Sequence, residues 1–194
     1  GELSGSDLVT NVLQRDMEKI RMAMDQTDGS EFSHVVDIIA QAKHIYIVGF
    51  RSSSFLAGYL NFYFRLIYDN VTQVQGGTFD QLFRVGPGDV VIAICFPRYS
   101  ELALKTVQYA KDRGATIIGV TDSEMSPVYQ MSSGSLLVRN EMISFVDSLA
   151  APMSMLNALI LAAAHKQGTD ISATFNELEH VWDRFGIFGK VEDE

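Results

Sequence analysis

Apolar residues recur along this chain in two different rhythms, and the change from one to the other divides it. Leu13, Met17, Ile20 and Met24 follow one another at spacings of four, three and four, which predicts a helix over roughly Asp7 to Met24 with one apolar and one charged face. The polar break Gln26-Thr27-Asp28-Gly29-Ser30 then leads to a second short helix, with Ser33 as its predicted N-cap and Val35, Val36, Ile39 and Ala42 facing inward. Both helices read as a lead-in to a sheet. Beyond them, short β-rich runs alternate with helical patterns over His44–Val48, Val71–Val74, Asp89–Cys95, Thr116–Thr121 and Ser135–Val138. These runs are largely apolar throughout, with no strict alternation. That is the pattern of strands covered on both faces, and it predicts an α/β fold: a three-layer αβα arrangement around a five-stranded parallel sheet.

The connecting helices carry their own signals. Ser53–Tyr68 is dense in aromatics (Phe55, Tyr59, Phe62, Tyr63, Phe64 and Tyr68), which reads as core and subunit interface. Glu101–Arg113 is amphipathic and stops at Gly114, while Gly86-Pro87-Gly88-Asp89 is a turn before a strand. The helix from about Ser148 to Gln167, ended by Gly168, is apolar nearly all round. Such a helix must be covered on more than one side, so a homodimer or higher homo-oligomer is expected.

Totals narrow the function. With 194 residues, 47% of them hydrophobic, the chain can bury one substantial core. Its 15 basic residues against 24 acidic ones give a net charge of −9, which repels nucleic-acid phosphates and argues against DNA or RNA binding by this segment itself. The single Cys95 cannot form an intramolecular disulfide, a usage that fits a reducing cytoplasm, and no Cys/His cluster has metal-ligand spacing. No metal or cofactor is expected. The N-terminus lacks a basic stretch followed by an apolar run, and the greasiest segment, Leu149 to Ala164, is too short for a membrane span and is read as a buried helix.

In a doubly wound sheet, ligands bind beyond the carboxyl ends of the strands where the strand order reverses. In the flavodoxin-like order that point lies between strands one and three, whose following loops are Gly49-Phe50-Arg51-Ser52-Ser53-Ser54 and Phe96-Pro97-Arg98-Tyr99-Ser100. Each loop enters a predicted helix, so amide hydrogens and the positive end of the helix dipole point into a phosphate-sized space between them. The candidate ligand-binding residues are Gly49, Arg51, Ser52, Ser53, Arg98, Tyr99 and Ser100. Serine hydroxyls can donate to phosphate or sugar oxygens and the two arginines can supply charge. Ser100 taken alone reads first as an N-cap, whereas three consecutive serines at Ser52 to Ser54 exceed what capping needs.

At these two loops the sequence resembles the SIS (sugar isomerase) phosphosugar-binding domains, and more narrowly the effector domain of RpiR-family transcriptional regulators, over roughly Phe32 to Phe188. The resemblance is carried by Gly86-Pro87-Gly88-Asp89-Val90-Val91-Ile92-Ala93-Ile94-Cys95-Phe96-Pro97-Arg98-Tyr99-Ser100, by Val48-Gly49-Phe50-Arg51-Ser52-Ser53, and by Gly119-Val120-Thr121-Asp122-Ser123 with Ser126-Pro127. In the wider family the first loop reads roughly G-x-G-[ST]-S, its last serine contacting the sugar phosphate, and Ser53 matches that position. The third-strand loop of the family's enzymes reads S-x-S-G-x-[ST]. Over Cys95 to Ser100 only Ser100 keeps its hydroxyl, which leaves a stiffer loop in which Arg98 can compensate.

The resemblance implies a phosphosugar-sensing effector domain over 31–190, preceded by a linker helix over 1–30. RpiR-type regulators read DNA through an N-terminal helix-turn-helix domain, and no such unit is read before Phe32, so DNA contact is expected only through a domain outside this chain. The main alternative is an aldose–ketose phosphosugar isomerase, which needs an acid and a base near the sugar's first two carbons. His34, His44, His165 and His180 are isolated in sequence, and His165 falls in the last turn of its helix where a cation suits the dipole. Glu141 and Asp147 follow the fifth strand, where a pocket residue can originate. A nucleotide site is disfavoured because Arg51 and Ser54 occupy glycine positions of G-x-G-x-x-G. Ligand sensing is the preferred reading.

Overall fold

The computed structural model describes residues 5–76, 79–143, 145–168 and 171–188; the outer bounds of the two expected segments, residues 1 and 190, lie outside them. The chain begins with helix α1 (Gly5–Gln26) and helix α2 (Gly29–Ala40). It then alternates through β1 (Ile45–Val48), α3 (Ser53–Ile67), β2 (Val71–Gln73), β3 (Val90–Ile94), α4 (Glu101–Asp112), β4 (Thr116–Thr121), α5 (Pro127–Met131) and β5 (Gly134–Leu137). A two-stranded hairpin, β6 (Met142–Ile143) with β7 (Val146–Asp147), precedes α6 (Ala150–Gln167) and α7 (Ile171–Phe185). The main sheet has the order β2-β1-β3-β4-β5, parallel throughout. Strands one and three are therefore neighbours, as in the flavodoxin-like order.

β1 and β3 are buried at every position, and β4 at all but its first. The alternating faces of these strands feed two separate cores. On one side Ile45, Ile47, Ile92, Ile94, Ile118 and Val120 pack with α2, α3 and α6, including Phe64, Leu156 and Leu159. On the other, Tyr46, Val48, Val91, Ala93 and Ile117 pack with α4 and α5 through Ala103, Val107 and Val128. β2 is half-buried, which explains why Thr72 and Gln73 are tolerated there.

Local chemistry explains most boundaries, with one correction. Ser33 does not cap α2: Asp28 does, its carboxylate accepting from the amides of Ser30 and Glu31, while Ser33 sits inside the helix and donates to the Gly29 carbonyl. Asp28 outcompetes Ser33 because a charged acceptor at the start of the helix also meets the positive end of its dipole. α4 ends at Arg113 with Gly114 at φ +91°, and α6 ends at Gly168 in the left-handed region. α6 packs against α1, α2 and α3 and leaves one face open at Asn157 and Leu161, the latter 70% exposed. The outer edge of β5 is also closed, because the Glu31 carboxylate accepts from the Ser135 amide at 2.8 Å.

α1 is amphipathic yet buries no residue. It meets the rest of the chain along Val12, Asp16, Lys19 and Ala23, so the stripe expected at Leu13, Met17, Ile20 and Met24 is turned outward, Met17 and Met24 being 68% and 72% exposed. α7 was not anticipated from the pattern of the sequence; Phe175 and Phe185 lie exposed on it.

Candidate functional site

The loops after β1 and β3 meet in a cavity of about 200 Å³. Its walls are Arg51, Ser52 and Ser53 from the first loop, Cys95 to Arg98 and Ser100 from the second, and Met142, Phe145 and Asp147 from the β6–β7 hairpin, which closes the third side. Of the seven sequence candidates, five line it: Arg51, Ser52, Ser53, Arg98 and Ser100.

Gly49 acts behind the wall. A Cβ there would lie 2.6 Å from the Ser53 carbonyl oxygen and 3.0 Å from the Ala57 Cβ, so its bareness lets α3 seat directly on the end of β1. Tyr99 points elsewhere, donating to Asp122 Oδ1 at 2.7 Å. Burial, and then that bond and the charge of Asp122, push its phenol up to about 12, so it stays a donor. Asp122 also accepts from the Thr121 hydroxyl, which in turn accepts from the Ser126 hydroxyl at 2.7 Å, and Ser126 caps α5. The Thr121-Asp122 and Ser126-Pro127 motif thus braces the back of the second loop and does not line the cavity.

Backbone geometry marks Arg51. It is the one non-glycine residue at positive φ among the described residues, at +54°. Its carbonyl accepts from both the Ser54 amide at 3.0 Å and the Ser54 hydroxyl at 2.6 Å, which fixes the turn. An L-residue held left-handed costs roughly 1–2 kcal/mol. The side chain is exposed at the cavity lip, as is that of Arg98. The two arginines are the cations of an otherwise acidic chain that border this space.

The hydroxyls are divided between structure and cavity. Ser100 caps α4, accepting from the Ala103 amide at 3.3 Å, which leaves its own proton and the amides of Glu101 and Leu102 for a ligand. Ser52 stands at the N-cap position of α3 but makes no side-chain cap bond; it donates to Asp147 Oδ2 at 2.8 Å. Ser53 is buried in the wall. Burial pushes the Cys95 thiol up, and Asp122 adds to that shift against a Ser100 backbone hydrogen bond, so the cavity floor presents a neutral S–H.

Serine donors, helix amides and two guanidinium groups suit an oxyanion with polar substituents. None of the four histidines lines this cavity, and the carboxylate that does is Asp147. Sequence pattern pointed to Asp147 only through its place after β5, because a hairpin with two-residue strands has no periodicity to read. Among the described residues no group of three or more His, Cys, Asp or Glu could hold a metal ion, and no helix is long and apolar enough to cross a membrane.

Comparison with known proteins agrees with this fold. The SIS domain family model matches residues 38–162. An HTH-type transcriptional regulator of Caldanaerobacter subterraneus subsp. tengcongensis is 24% identical over 181 residues, covering 88% of this chain and 64% of its own length. The chain thus spans a little under two thirds of that relative. Among solved structures, the sugar isomerase domain of an RpiR transcription factor from Sphaerobacter thermophilus superimposes with a TM-score of 0.84 at 22% identity, over 89% of this chain and 98% of that one. The Vibrio vulnificus NanR protein complexed with ManNAc-6P superimposes with a TM-score of 0.81 at 16% identity, over 96% of this chain and 72% of that one.

Proposed function

The chain belongs to the SIS domain family, and from that premise we propose that it is the phosphosugar-sensing effector domain of an RpiR-type transcriptional regulator. The observation that carries the proposal is the cavity itself: two serine-bearing loops, each opening a helix, converge with Arg51 and Arg98 on its rim. The phosphate is held by Ser53, Ser100 and the arginines, and the sugar faces Ser52 and Asp147. The segment 1–30 serves as the linker, with α1 as its helix, and DNA is contacted by a domain preceding it in the intact protein, which is cytoplasmic. The outward stripe of α1, with exposed Phe55 and Phe62 on α3, supports a homodimer.

Thermal-shift measurements with phosphorylated and unphosphorylated forms of the same sugars test the reading. The panel comprises hexose, hexosamine, N-acetylmuramic acid and sialic acid phosphates, with ManNAc-6P included because the Vibrio vulnificus relative is complexed with it. A ligand at about 100 times its Kd stabilises by about 2.7 kcal/mol, or roughly 5–10 °C at this size. One phosphorylated class is expected to give that shift and its free sugar none. Equal responses to both forms overturn the proposal.

A second reading rests on Asp147. A carboxylate in the cavity can exchange a proton with a sugar carbon, so aldose–ketose isomerisation is the alternative. It requires measurable turnover that collapses in Asp147→Asn; turnover surviving that change excludes Asp147 as the base.

A further inference from the structure

The β6–β7 hairpin touches the cavity on one side and α1 on the other, with polar ties on both sides. Toward the cavity, Asp147 accepts the Ser52 hydroxyl at 2.8 Å. Toward α1, Glu141 at the hairpin's start lies 3.5 Å from Lys19 Nζ and 3.7 Å from Arg15 Nη1, and Ser148 at its end donates to Asp16. The Ser148 amide donates to the Glu141 carbonyl at 3.1 Å, joining the two ends. Arg15, Asp16 and Lys19 form one turn of α1, a helix with no buried residue. Such partly exposed pairs are individually weak, so the arrangement is easily biased.

Ser52 has one proton to give. A ligand oxygen that takes it must compete with Asp147, and an anion entering the cavity also repels that carboxylate. We propose that the hairpin transmits occupancy of the cavity to α1, with Asp147 as the positioning residue: its bond to Ser52 holds the hairpin in the empty state, and ligand entry releases it. The inference rests on the phosphosugar reading for the identity of the ligand, but the mechanical link between Ser52, the hairpin and α1 does not. The signal leaves the domain at its N-terminal helix.

Hydrogen-exchange mass spectrometry on the whole chain separates the two. Without ligand, Asp147→Ala and Ser52→Ala should each speed exchange about fivefold in residues 142–148 and in 12–23, the factor given by one ordinary hydrogen bond, with residues 101–112 unchanged. Faster exchange confined to the hairpin overturns the link. With ManNAc-6P as probe, the wild-type chain should respond in the same two segments. Glu141→Ala, whose side chain does not line the cavity, should bind the probe at least as tightly while losing the α1 response, because coupling free energy is reciprocal. Binding by the wild type with no change in 12–23 also overturns the link. Failure of every sugar phosphate to bind overturns the phosphosugar reading instead, and the ligand-free comparison still decides the link.

Discussion

Replacing Arg51 by glycine and, in a separate variant, by alanine distinguishes what its backbone costs from what its side chain contributes. At φ +54° a residue with a Cβ gives up roughly 1–2 kcal/mol that glycine does not. Glycine returns about 0.4–1 kcal/mol of that through the greater freedom of its unfolded chain. Arg51→Gly should therefore be more stable than Arg51→Ala by about 0.8 kcal/mol, a difference of about 2–3 °C in Tm for a chain of this length. Both variants lose the guanidinium, and a charge-assisted hydrogen bond to phosphate is worth about 1.5–3 kcal/mol, so both should bind the phosphosugar roughly 10- to 100-fold more weakly. Differential scanning calorimetry gives the first quantity and isothermal titration the second. An alanine variant as stable as the glycine variant refutes the left-handed strain. Wild-type affinity in both refutes the role of the side chain.

Three further outcomes are expected. Gly49→Ala places a methyl group against the Ser53 carbonyl, a contact no rotamer can relieve, and should cost about 1–3 kcal/mol in urea unfolding; an unchanged midpoint contradicts the close seating of α3 on β1. His44 is held below the usual histidine range by burial, partly opposed by Asp89, so the fold penalises its protonated form. The stability this neutral group allows is complete above about pH 6.5 and is lost as pH falls from there. The Tm should thus decline between pH 7 and 5.5, and His44→Gln should flatten that decline; identical slopes in the two proteins count against it. Leu156→Ala empties a fully buried position of α6 and should cost about 2–5 kcal/mol, and a loss below about 1 kcal/mol in denaturant titration contradicts its place in the core.

The sheet was legible because burial on both faces leaves a simple signature. The runs at Ile45–Val48, Val90–Ile94 and Thr116–Thr121 lie within the segments expected from apolar composition alone. Taking the flavodoxin-like order among doubly wound sheets made strands one and three neighbours, and with them the Ser52-Ser53 and Ser100 loops. What pattern could not reach was decided by local competition or by tertiary contact. The choice of Asp28 over Ser33 as a cap depended on two polar residues competing for one helix start. The direction of Tyr99 depended on Asp122, which lies 23 residues further along the chain. The hairpin carrying Asp147 is too short for any periodicity, and the outward turn of the α1 stripe depends on which side α6 offers.

The bond from the Ser135 amide to Glu31 bears on how this protein behaves at high concentration. An open sheet has two rims, and each is an invitation for a neighbouring molecule to add a strand of its own. Here one rim has an outward-facing donor already taken by a carboxylate, and an arriving backbone carbonyl would have to displace a charged competitor held in place by a helix. The other rim is a strand of only three residues, too brief to template a neighbour. Self-association by sheet extension is thereby suppressed, which leaves the helical surfaces to decide how copies of this chain meet.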